Sequence, residues 1–113
     1  MFGKVGTVSI TILMLSAILL PATPVNAEYR FTDGTEMDIQ WYEQENKILN
    51  NKVCFNYEKD RRKYRQCRRK AKDYFREECD FYEIKIRNTK KKKRHIYQDD
   101  KEKFCSAFES YQP

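Results

Sequence analysis

The chain has 113 residues, with 23 Lys and Arg against 17 Asp and Glu, a formal net charge of +6 at pH 7 and four cysteines. Removing a leader of 27 residues leaves 86, enough for one small domain but too few for a multi-domain enzyme or a doubly wound α/β fold. Aliphatic residues are sparse in those 86, whereas fifteen aromatics run from Tyr29 to Tyr111, so any core must be largely aromatic.

The leader comes first in the chain. Residues Met1 to Ala27 combine Lys4, an apolar run from Val8 to Leu20 and a polar tail ending Val25-Asn26-Ala27, a pattern that fits cleavage after Ala27 by a signal peptidase. The apolar run has 13 residues, short of the ~20 that cross a hydrocarbon core. The expectation is a signal peptide over 1–27, a mature domain over 28–113 with no membrane span, and export to the periplasm or outside the cell.

The next stretch reads two ways. Met37, Ile39 and Trp41 alternate, and Asp33-Gly34 is a hairpin signal. A two-residue loop there would pair Phe31 with Glu36 and set the apolar residues on opposite faces. Met37, Trp41, Ile48 and Leu49 also fit one helix face, with Thr35 as cap and Asp38 three residues on. A helix over 35–50 is therefore predicted, preceded by an extended segment.

The central element is clearer. Tyr64, Cys67, Ala71, Tyr74, Phe75, Cys79, Tyr82 and Ile86 recur at steps of mostly three and four, and neither Gly nor Pro falls between Gly34 and Pro113. This predicts an amphipathic helix over 60–87, with Asp60 as N-cap after a turn at Glu58 to Asp60. A connector at Asn88 to Gln98 leads to a last helix over 99–111, opened by a capping box from Asp99 to Glu102 and carrying Phe104, Cys105, Phe108 and Tyr111 on one face. The expected fold is all-α: a small three-helix domain stapled by disulfides.

Helix geometry then restricts the disulfides. Cys67 and Cys79 on one helix stand ~18 Å apart along the axis, beyond the ~7 Å that a disulfide tolerates between Cα atoms. If the last helix folds back antiparallel, Cys79 meets Cys105 a similar distance from the connector. Cys54 is left for Cys67. The spacing contains no C-x-x-C and His95 is the one histidine, so neither a metal nor a cofactor is expected.

Two basic groups are candidate anion-binding sites. One is the run Lys90, Lys91, Lys92, Lys93 and Arg94, whose mutual repulsion is expected to keep it solvated and poorly ordered; the other is Arg61, Arg62, Arg65, Arg68 and Arg69 on the polar face of the central helix. Acids follow only from Asp73 onward, an order opposite to the one the helix dipole favours. Trp41, Tyr42, Tyr57 and Tyr97 are expected to reach the surface as partner contacts. No Gly-rich phosphate loop, facing carboxylate pair or placed His partner is visible, which argues against an enzyme. The expected function is a small exported, non-enzymatic binding protein that recognises a protein or an anionic envelope component through charged helical faces. The alternative is a secreted effector or toxin-like protein whose basic run binds nucleic acid or anionic membrane.

Overall fold

The alternation of Val25, Ala27 and Tyr29 matches that of Met37, Ile39 and Trp41, and together these residues build one face of a sheet. A computed structural model of the chain describes residues 20–31 and 33–113; Lys4 and the leader's apolar run up to residue 19 lie outside them. Strand β1 (Thr23–Arg30), β2 (Glu36–Gln44) and β3 (Lys47–Ile48) form an antiparallel sheet in the order β1-β2-β3. Helix α1 (Arg61–Arg87) and helix α2 (His95–Ser110) fold into a hairpin that covers one face of it.

The all-α expectation is therefore wrong over residues 35–50, where β2 and β3 replace the predicted helix and leave two α-helices among the described residues. The reason is the register. Arg30, not Phe31, opposes Glu36, so the connection is longer than two residues and pairs Tyr29 with Met37, Ala27 with Ile39 and Val25 with Trp41 on the same face. Every strand side chain then alternates correctly. The connection is closed by Phe31 N–H to Thr35 O at 2.8 Å and Thr35 N–H to Asp33 Oδ1 at 2.9 Å, with Gly34 at φ +88°, which favours glycine. An ion pair from Lys70 to Asp33 holds this turn against α1. The second turn, Glu45 and Asn46, has both residues at positive φ, as a two-residue hairpin requires, and Asn46 Nδ2 donates to the Asp99 carbonyl of α2 at 2.9 Å.

Helix α1 starts one residue past its Asp60 N-cap, whose carboxylate accepts from Lys63 N–H at 3.2 Å. It buries Cys67, Ala71, Tyr74, Phe75 and Cys79. Helix α2 begins at His95 rather than Asp99, so the connector spans 88–94 and no capping box forms at Asp99. Asp99 sits inside the helix, and its carbonyl also accepts from Asn46 Nδ2.

The disulfides are Cys54 to Cys67 and Cys79 to Cys105, with Cα atoms 6.0 and 4.7 Å apart. The chain reversal between Cys54 and Cys67 contains no Gly. Cys54 itself adopts the left-handed conformation at φ +66°, followed by a short 3-10 turn at Phe55–Tyr57.

The core is aromatic, centred on Trp41, whose ring centroid lies 5.8 Å from Tyr74, 5.6 Å from Phe75 and 6.3 Å from Phe104. Tyr111 closes one side at 5.5 Å from Phe75, and its hydroxyl donates to the Arg68 carbonyl at 2.8 Å. Trp41 is 1% exposed, which corrects its assignment as a partner contact: the alternation of β2 places it with Met37 and Ile39 on the face that packs into the core.

This position has a direct optical consequence. Trp41 fluorescence is expected to be blue-shifted and weakly quenched by acrylamide in the oxidised protein. Reducing both disulfides, at typically ~2–4 kcal/mol each, should make it red-shifted and quenchable, because a domain this small has little stability to spare. Free quenching before reduction would contradict a core built around this residue.

Candidate functional site

Most of the positive charge lies on α1 and on the turn after it, but not all of it is free. Arg61, Arg62, Arg65 and Arg69 are exposed on the first part of α1. Arg68, placed in the same group from sequence, is half-buried and used within the fold. Its Nη1 donates to the carbonyls of Asn50 at 3.0 Å and Val53 at 3.2 Å, and its Nη2 donates to that of Gln112 at 2.9 Å. The guanidinium carbon also lies 4.8 Å from the Tyr111 ring centroid. Three of its five N–H donors are committed to backbone carbonyls and the group is half-buried, so Arg68 serves the fold and leaves the candidate anion site. Lys72 behaves alike, donating to the Tyr111 carbonyl at 2.7 Å.

The second basic group is presented differently. Helix α1 ends with Asn88 N–H on the Ile84 carbonyl at 3.0 Å, and Thr89 Oγ1 caps the Lys85 carbonyl at 2.6 Å. The lysine run then closes a 3-10 turn at Lys91–Lys93, tightened by Lys93 N–H to Lys90 O at 2.8 Å and by Arg94 Nε to Thr89 O at 2.9 Å. The backbone thus takes up the run as a defined turn. The side chains of Lys90, Lys91, Lys92 and Lys93 are exposed, Arg94 is half-buried, and among the described residues no carboxylate pairs with any of the five. Lys85 and Arg87 in the last turn of α1 add to the same end of the hairpin.

Of the remaining aromatic candidates, Tyr42 packs against Phe55 with centroids 4.7 Å apart on the sheet face away from the helices. Tyr57 is half-buried against the core, and Tyr97 lies under the Lys85 ammonium, 5.4 Å from its centroid. None of the three joins the exposed arginines of α1 in a single cluster. What sequence reasoning passed over is Phe81, Ile84 and Ile96, which are 52%, 51% and 55% exposed. A signal for the first two was present: they fall off the three-and-four stripe that faces α2, so apolar groups at those positions must point outward.

A half-buried polar network lies along the sheet and helix junction. Lys103 Nζ sits 3.2 Å from Glu43 Oε1 and 3.6 Å from Asp100, while Glu43 Oε2 accepts from Trp41 Nε1 at 2.9 Å. Nearby Glu78 has its carboxyl pushed above the ordinary range, first by burial and then by the charges of Glu77 and Asp100. Glu83 lies beside the Cys79–Cys105 disulfide, 3.7 and 3.8 Å from its sulfurs, which as disulfide sulfurs are not thiolate ligands.

Three measurements follow from this geometry. Arg68→Ala should cost about 2–4 kcal/mol in chemical denaturation because it leaves carbonyls unpaired, whereas Arg69→Ala one residue on should stay within ~0.5 kcal/mol. Changing Lys90 to Lys93 together to Gln should leave the melting temperature nearly unchanged, within ~0.5 kcal/mol of stability. Glu78→Gln should raise the melting temperature at neutral pH. A carboxyl whose folded pKa is raised loses its contribution to stability as pH rises through that value, so the gain should vanish as the wild-type group protonates in acid. A variant that melts lower at pH 7 and higher in acid would reverse that sign.

No known protein family, curated protein or solved structure matches this chain.

Proposed function

We propose that the protein is an exported, non-enzymatic binding module that engages an anionic component of the cell envelope, or a protein bearing such a surface, through the basic tip of its helical hairpin. The carrying observation is the turn Lys90–Arg94: a defined backbone turn, four exposed lysines and no internal carboxylate partner among the described residues. An unpaired cluster of like charge disfavours the folded state through self-repulsion, and an anionic ligand relieves that repulsion. Two disulfides fit an oxidising compartment outside the cytoplasm, and no helix among the described residues is long and apolar enough to cross a membrane.

The leader reading meets the structure within β1. Cleavage after Ala27 removes Thr23 to Ala27 from the strand and leaves Glu28, Tyr29 and Arg30 opposite Asp38, Met37 and Glu36. Tyr29 keeps its ring contacts to Phe31 and Tyr74, at 4.6 and 5.1 Å, so the shortened strand retains its aromatic anchor. The intact mass of the exported protein should correspond to a chain starting at Glu28. A mass that includes Thr23 would show that the strand stays whole and that the leader ends elsewhere.

The binding reading is tested on immobilised heparin. Wild type should be retained at low salt and lose affinity by about one log unit per log salt for each anionic group contacted, and the four-lysine Gln variant should elute markedly earlier. Equal elution of the two proteins would remove the basic tip from the function.

A further inference from the structure

Among the described residues large exposed apolar side chains are few, and most of them gather at one end. Of the four among the described residues, Phe81, Ile84 and Ile96 flank the basic turn, and the fourth is Leu20 of the leader. Phe81, Ile84, Lys85 and Asn88 are spaced three, four and seven residues apart, so they share one face of α1, and with Thr89 they line a shallow groove of about 260 Å³. Between Phe81 and Gln98 the chain carries seven Lys and Arg residues and a single acid, Glu83.

We infer that the tip of the helical hairpin docks on an anionic lipid surface, with Phe81 and Ile84 entering the boundary between headgroups and acyl chains while Lys85, Arg87 and Lys90–Lys93 meet the lipid phosphates. This rests on the proposed role of the basic tip and names its partner. The charge is complementary to an anionic leaflet, and the apolar residues give what electrostatics alone leaves unexplained: a patch that water solvates poorly, maintained beside cations that water solvates well. That combination is the physical signature of an interfacial segment. A protein partner fits less well, because lysine is depleted at the centre of protein interfaces, where arginine and aromatic residues dominate. Nucleic acid fits less well too. The lysines of the turn are point charges beside two isoleucines and one exposed aromatic, Phe81, not the array of exposed aromatics on which successive bases stack. The 3-10 turn matters to this arrangement, because it fixes the backbone of the lysines directly after the last turn of α1.

The test uses the full oxidised protein and sedimented vesicles of phosphatidylcholine with phosphatidylglycerol at about three to one, compared with vesicles of phosphatidylcholine alone. Binding is expected to the anionic vesicles only. Phe81→Ser combined with Ile84→Ser should weaken it about tenfold while leaving heparin retention unchanged, since the charges remain. Each lysine removed from the turn should weaken it about fivefold at low salt. Both apolar residues are half-exposed, so the double variant should melt as wild type does, and Ile84→Lys offers a second variant in which charge is raised while the apolar contact is lost. If the lysine variant loses heparin and vesicle binding but Phe81→Ser with Ile84→Ser binds vesicles as wild type does, the lipid inference is overturned and the basic-tip reading stands. If the lysine variant binds heparin normally, that reading falls as well. Tighter binding to a DNA oligonucleotide than to anionic vesicles, through the same lysines, would also overturn the inference in favour of nucleic acid.

Discussion

The backbone of Cys54 is the joint on which the two halves of this protein depend. It takes a left-handed conformation that non-glycine residues adopt at a cost, its sulfur is bonded to Cys67 on α1, and its amide donates to the Gln40 carbonyl of β2 at 2.7 Å. One residue thus ties the sheet, the loop and the helix. Arg68, next to Cys67, completes the joint by bonding the carbonyls of Asn50 and Val53 on the loop and that of Gln112 at the C-terminal end. With those atoms placed, the chain turns back toward α1 without a glycine, and the meander lies against the helical hairpin with Trp41 facing inward.

What fills the joint is aromatic because the sequence has little else. Rings are large and flat, and they pack best edge to face, as Trp41 does on Phe75 and Phe104 with interplanar angles of 85° and 83°. Tyrosine brings a hydroxyl that needs a partner when buried, and Tyr111 finds one in the Arg68 carbonyl. Burial raises the pKa of the Tyr74, Tyr82 and Tyr111 hydroxyls above the ordinary tyrosine value. At Tyr111 packing and hydrogen bonding therefore reinforce one another in one residue.

Legibility from sequence followed the range of the interactions. The stripe of α1 was legible because a 27-residue helix repeats its apolar step many times, and the disulfide pairing was legible because axial rise forbids Cys67 from meeting Cys79 and an antiparallel return of the last helix brings Cys105 to Cys79. The sheet was not, because its register depends on a connection longer than the Asp33-Gly34 signal implies, and because half of β1 lies in residues that also read as the tail of a leader. Arg68 and Arg69 are indistinguishable as letters. Only the placement of the Asn50, Val53 and Gln112 carbonyls, 18, 15 and 44 residues away, makes one a clamp and leaves the other in solvent. At the basic tip the lysine run announced itself, whereas Phe81 and Ile84 went unread though their positions off the stripe already set them on the outer face.

The two crosslinks also divide the molecule mechanically. Both lie at or after Cys54, so residues 20–53 form a stretch held by hydrogen bonds, ion pairs and packing, with no covalent crosslink. In the uncleaved chain Thr23 at the start of β1 sits opposite Glu43 near the end of β2, and tension applied ahead of it would open that hairpin as a zipper, one pair at a time, rather than shear all its bonds together. Roughly 110 Å of extended chain, at ~3.3 Å per residue, would pay out before the load reached a covalent stop. Beyond that stop the helical hairpin is a doubly looped unit, and the basic turn at its end would keep its shape while the sheet was drawn away.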